Sequence, residues 1–247
     1  MNIIAAAKTD SNPFKQIDLD RVRQRGWWII LLLAIGTIVL STLVRSWADC
    51  QFFYQAELEY YLAHPGEFGR PPQPASAPII TKLMRMVGQL LNTAAAWIGW
   101  TGGLYLIGLL LGQRDIRFGT VLKIVAWSWL PFIIRGLAQC AYMWLTKDPI
   151  FNPGLSGLIR DNTPPPPGGG YHYIMPTKGQ LIGSALLAPL DAYLFWHLGL
   201  IVGGLKTHAG YPIRKALLVS VIVGLTLLFI GLLPTIFGNA LGQFRLF

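Results

Sequence analysis

Ala185 to Leu200 reads ALLAPLDAYLFWHLGL, and the aspartate lodged in this apolar run, Asp191, decides how the chain is to be read. A carboxylate at the centre of a bilayer costs roughly 2.5–3.5 kcal/mol on insertion scales, so it is there either paired or at work. The run belongs to a longer one from Leu181 to Leu205. Four more resemble it: Trp27 to Val44, Val87 to Leu111, Val121 to Leu145 and Ala216 to Phe237. Each approaches the roughly 20 apolar residues with which a helix crosses about 30 Å of hydrocarbon. The pattern predicts an all-α fold, a polytopic membrane helical bundle with five transmembrane helices. Residues 1–26 form a basic cytoplasmic tail, 27–44 the first span and 45–86 an external loop with an interfacial aromatic segment. A four-span bundle fills 87–237, interrupted by a Pro/Gly-rich external loop at 146–180, and 238–247 are an external tail.

Composition excludes an ordinary soluble domain. Hydrophobic residues make up 53% of the chain and charged residues 13%, and the mean hydropathy is +0.48. The net charge of +9 does not mark a nucleic-acid face, because the basic residues are spread over loops and helix ends. They flank spans instead. Lys8, Lys15, Arg21, Arg23 and Arg25 precede the first span, Arg114 and Arg117 follow the second, and Lys206, Arg214 and Lys215 follow the fourth. The opposite side carries Arg45, Arg70, Lys82, Arg85, Lys147, Arg160, Lys178 and Arg245, over much longer connections. The positive-inside rule then places the N-terminus in the cytoplasm and, after five crossings, the C-terminus outside. The first span reads as uncleaved: its apolar run exceeds that of a signal peptide, and Arg45 stands where small residues would be required. Cys50 and Cys140 both fall toward the external side, which permits a disulfide without specifying one.

Two external connections stand out. Trp47 to Ala63, WADCQFFYQAELEYYLA, spaces its aromatic and apolar residues as an amphipathic helix lying at the outer interface would. Pro65, Pro71, Pro72, Pro74 and Pro78 then stop helicity, and Ile79 to Met86 reads as an interfacial turn. Pro164 to Pro167 and Gly168 to Gly170 mark a second segment with no core of its own, either flexible or pinned by a partner. Inside the spans, Gly99 and Gly103, Gly108 and Gly112, and Gly199 and Gly203 lie four apart, a spacing that lets helices approach closely. Pro131 and Pro189 break the third and fourth spans, and each frees a carbonyl that a neighbour, a hydroxyl or water must satisfy.

The charges within the spans are sharper still. Arg135 lies ten residues from the external end of the third span and Asp191 ten from that of the fourth, which puts both about 15 Å deep. Consecutive spans are antiparallel neighbours, so an Arg135–Asp191 pair offsets the cost of two isolated charges. A proton relay lacks a second carboxylate to pass the proton on. Lys123, near the cytoplasmic end, can snorkel to the interface. No catalytic, cofactor or metal site is expected: there is no His-Glu-x-x-His, no Gly-x-Ser-x-Gly and no carboxylate dyad. His197, six residues from Asp191 and on another face, reads as a buried polar contact.

Trp97 to Gln139, WIGWTGGLYLIGLLLGQRDIRFGTVLKIVAWSWLPFIIRGLAQ, resembles the centre of the Yip domain family, the Ypt/Rab-interacting type of five-span membrane protein. Gly112, Phe118 and Trp129 to Pro131 take the places of the family's glycine-bearing span, loop phenylalanine and aromatic–proline step. Leu190, Asp191, Trp196, Gly204, Leu205, Lys215 and Ala216 match its Leu-Asp segment with a following Trp, its Gly-Leu helix end and its Lys-Ala opening. The likeness runs from about Met86 to Gly231. Eukaryotic relatives carry a long cytosolic N-terminal region where this tail is short, so Rab binding does not carry over and a prokaryotic plasma-membrane member is expected. The resemblance implies a non-enzymatic scaffold or accessory subunit in a hetero-oligomeric complex with other integral membrane proteins, an export transporter among them. The other reading is a small transporter or channel component using the Asp191 region.

Overall fold

The computed structural model describes residues 26–63, 71, 73, 78–113, 116–150, 153–158 and 178–241, with side chains described except at 178 and 234–241. The basic tail ahead of residue 26, the Pro164–Gly170 run, Arg70, Arg114, Arg160, His64, His172 and residues 242–247 lie outside them. Every regular element among the described residues is helical. They are α1 (Trp27–Ala63), α2 (Ile79–Leu110), α3 (Phe118–Ser128), α4 (Leu130–Thr146), a 3-10 turn (Gly154–Leu158), α5 (Lys178–Leu187), α6 (Ala192–His208) and α7 (Ile213–Leu241).

Four rods are long and apolar enough to cross a membrane: α1, α2, α3 with α4, and α7. Taking α5 and α6 as one bent span makes five. The outside of the bundle supports the same solvent. Ile98, Leu110 and Leu225 are 71%, 84% and 63% exposed, and many leucines besides, a surface suited to lipid rather than water. Inside, α2, α3, α6 and α7 share the main core. Trp97, Trp100 and Leu104 of α2 meet Val121, Ile124 and Val125 of α3, Ile201 and Leu205 of α6, and Val219 and Val223 of α7. Helix α1 leans on α4 through Val44, Ala48, Cys140 and Met143, and again through Ile30, Ala34 and Ile133. Cys50 and Cys140 are free thiols.

The first connection differs from its expectation. Trp47 to Ala63 is not a separate helix but the continuation of α1, which runs 37 residues without a break, about 55 Å at 1.5 Å per residue. Nothing between Arg45 and Ala63 is a proline or glycine, so no residue obliges the helix to turn. Contacts hold it upright: Trp47 packs on Trp144 of α4 at 5.0 Å between ring centroids, and Asp49 pairs with Arg85 of α2 at 3.0 Å. Ile79 to Met86 likewise belongs to α2 from its first residue, directly after Pro78. Proline before a helix has its φ already set and gives up an N–H that would have had no partner.

Candidate functional site

Two consecutive predicted spans are interrupted, and each interruption is met by a side chain of the other span: Arg135 reaches the break in the fourth, and His197 the break in the third. Between α5 and α6 the chain bends by 49° over Ala188 to Asp191, with Pro189 in the gap. Asp191 opens α6 from an extended backbone, and its Oδ1 accepts the Leu194 N–H at 3.0 Å. A carboxylate in that position caps the helix and complements the positive end of its dipole. Its Oδ2 lies 3.0 Å from Nε of Arg135 on α4, and the two side chains are only 15% and 18% exposed. Nη2 of Arg135 also donates to the Ala188 carbonyl at 3.4 Å. From the other side the 3-10 turn closes in. The Leu155 N–H donates to the Leu190 carbonyl at 3.3 Å, and Gly154 approaches the Ala188 carbonyl too closely for any side chain. The arrangement satisfies a broken helix with a half-buried ion pair at its centre.

The other break answers itself through His197. Pro131 cannot give an N–H to the preceding turn, and the N–H groups of Phe132 and Ile133 both turn to the Trp129 carbonyl. The Ser128 carbonyl, left without a helical donor, lies 2.6 Å from Nδ1 of His197. A carbonyl only accepts, so Nδ1 carries the proton and donates. His197 is fully buried among Trp100, Trp129 and Phe132, with ring centroids 5.0, 5.4 and 4.9 Å away. Its Nε2 has no hydrogen-bond partner among the described residues. No cluster of three His, Cys, Asp or Glu side chains fit to hold a metal occurs among them either.

Arg135 faces a third feature, a polar notch of about 310 Å³ between α1, α2 and α4. Thr37 and Ser41 line it from α1, Gln89, Asn92 and Thr93 from α2, and Gln139 from α4. Thr42, buried beside it, shares a 3.0 Å hydrogen bond with Gln89. Sequence reasoning passed over these neutral amides because each span as a whole remains strongly apolar. A search of each helix for polar residues at spacings of three and four (Gln89, Asn92 and Thr93; Arg135 and Gln139) would have found them.

The remaining residues singled out in the sequence fall as follows. A Cβ on Gly99 would meet Leu227 at 2.8 Å and one on Gly103 would meet Val223 at 2.9 Å, so this pair seats α2 against α7. Gly108 abuts the Tyr211 hydroxyl in the turn between α6 and α7. Gly112 packs on nothing: at φ +84° it ends α2, with its N–H on the Leu109 carbonyl and that of Gln113 on the Gly108 carbonyl, a left-handed helix stop suited to glycine. Gly199 and Gly203 have open space where a Cβ would stand, and it is Gly204 that meets Ile124 of α3, at 2.6 Å. Helix α6 is rotated so that the expected glycine face lies outside the contact. Phe118 stacks edge-on against Tyr105 at 5.6 Å, Trp129 joins the His197 box, and Trp196 is exposed.

A family model described as the Yip1 domain matches residues 11–233. No curated protein and no solved structure matches the chain.

Proposed function

Because the chain belongs to the Yip1 domain family, we propose that it is a non-enzymatic subunit of a plasma membrane, packing against partner integral membrane proteins with its N-terminus cytoplasmic and its C-terminus external. The notch carries this reading. Asn92 is exposed, and Gln89, Thr93 and Gln139 are half-buried, on a bundle whose outer surface is otherwise rich in exposed leucine and isoleucine. An amide facing hydrocarbon leaves donors and acceptors unmet, at a cost of several kcal/mol per group. A partner helix offering a polar side chain of its own satisfies them, and such interhelical bonds contribute roughly 0.6–2 kcal/mol each. The export transporters implied by the family resemblance are the partner class inferred.

Gentle detergent extraction followed by size exclusion and mass spectrometry tests this. A stoichiometric complex is expected from the unaltered chain, and Asn92→Leu with Gln139→Leu should release the partner while the melting temperature of the isolated chain holds. Unchanged partner retention sinks the reading. One observation favours the transporter alternative: two broken spans meet at a charged pair beside the same notch. Ion flux in proteoliposomes holding this chain alone, abolished by Asp191→Asn, would decide for it.

A further inference from the structure

A second groove, of about 730 Å³, is lined mainly from α3 and α6, with Leu130 at the start of α4. Its walls are Ile124, Trp127, Leu130 and Leu200, and it stays open because Gly199 and Gly203 put no side chain into it. At its mouth stands Lys123, half-buried and one helical turn from Thr120, so that ammonium and hydroxyl share a face of α3. Neither ion pair among the described residues involves Lys123. The described carboxylates, Asp49, Glu57, Glu59, Asp148 and Asp191, lie toward the other end of the bundle or at its middle. Around this end stand Arg117, Lys206, Arg214 and Lys215, all exposed. Lys123 is the sixth residue of α3, about 8 Å along the helix from its start, within reach of the headgroup region for a snorkelling lysine.

From this geometry we infer that the groove binds one anionic phospholipid. An acyl chain lies over Gly199 and Gly203 between Ile124, Trp127 and Leu200, and the phosphate meets the Lys123 ammonium and the Thr120 hydroxyl. The charge argues against a second copy of this chain in the same place: a glycine-to-glycine crossing would bring two Lys123 side chains together with no described carboxylate nearby to separate them. Basic pockets between membrane helices hold anionic headgroups on the same principle.

The test uses the full chain purified in detergent, titrated with phosphatidylglycerol or phosphatidylcholine and read by native mass spectrometry and by the rise in melting temperature. The unaltered protein is expected to retain phosphatidylglycerol in preference to phosphatidylcholine. Lys123→Gln should weaken phosphatidylglycerol retention about fivefold, as the loss of one near-surface cation implies, and leave phosphatidylcholine unaffected. Gly203→Leu should fill the groove and lower retention of both lipids, with lipid-free helicity and melting temperature as its folding control. Persisting preference in Lys123→Gln overturns the proposal whether or not Gly203→Leu folds. So does unchanged lipid retention in a folded Gly203→Leu, or a protein dimer that this substitution dissociates, which would assign the groove to a second copy.

Discussion

At Arg135 and Asp191 two charges that would each be costly in hydrocarbon lie 3.0 Å apart, and the carboxylate also caps α6. Removing one partner of a fully buried pair typically costs about 3–5 kcal/mol because the other is left uncompensated, whereas removing both is often far milder; this half-buried pair follows the same order with smaller losses. Arg135→Gln and Asp191→Asn should therefore each lower the melting temperature in detergent, and the double variant should recover part of the loss. Strictly additive losses would mean that the two groups do not interact. Asn keeps an oxygen for the Leu194 N–H, so Asp191→Leu should be worse than Asp191→Asn by the value of a helix cap, about 1 kcal/mol. His197 makes a separate case. His197→Phe keeps an aromatic ring in the box but strands the Ser128 carbonyl, and should destabilise by about 1–3 kcal/mol. A variant as stable as the parent, measured by thermal unfolding in detergent, would show that the carbonyl finds another donor.

Between elements, α2 comes close to the turn joining α6 to α7. Gly210, at φ 68°, turns the chain so that the Tyr211 N–H returns to the Leu205 carbonyl at 3.1 Å, and the Tyr211 ring is buried against Gly108. Gly108→Ala places a methyl where the hydroxyl sits and should cost about 1–3 kcal/mol as an overpacked contact. Tyr211→Phe should relieve it, since it removes the oxygen in the way. On its own, Tyr211→Phe should be close to neutral, because that hydroxyl has no partner to lose among the described residues. Burial also pushes the Tyr211 phenol above its ordinary range. The unfolded chain then ionises first, so this contribution to stability is whole below about pH 10 and is lost as pH rises through the folded-state value. An alkaline melting series should show that loss in the parent and a smaller one in Tyr211→Phe.

For the molecule as a whole, the orientation is open to direct measurement. The basic bias of the first tail and of the two short connections predicts a cytoplasmic N-terminus and an external C-terminus. Green fluorescent protein fused after Phe247 should stay dark if exported unfolded, and a bright fusion would reverse the topology. The bundle's helical class and the approximate place of its four spanning helices and of the bent pair were readable in the chain, because each apolar run is long enough to demand a helix in hydrocarbon. The reach of α1 was not readable: a sequence shows that Trp47 to Ala63 is helical and amphipathic, but only the neighbours Trp144 and Arg85 decide whether it lies flat or stands up. The notch was missed for a related reason, since its amides come from three different helices and none alters the hydropathy of its own.

What the amino-acid sequence determined by itself was whatever follows from residues read one span at a time. Apolar length gave the helices, Pro131 and Pro189 gave the breaks, and matched depth in neighbouring spans singled out Arg135 and Asp191 as opposite charges within reach. Tertiary structure alone decided how each helix is rotated about its axis. That rotation turned Gly204 rather than Gly199 and Gly203 toward α3, brought His197 to the Ser128 carbonyl, and gathered Gln89, Asn92, Arg135 and Gln139 around one notch. The physical reason is that a helix apolar on every side carries almost no periodic signal to say which face is inward. In lipid, where burying apolar surface gains little, the choice falls to close packing and to a few polar contacts between helices.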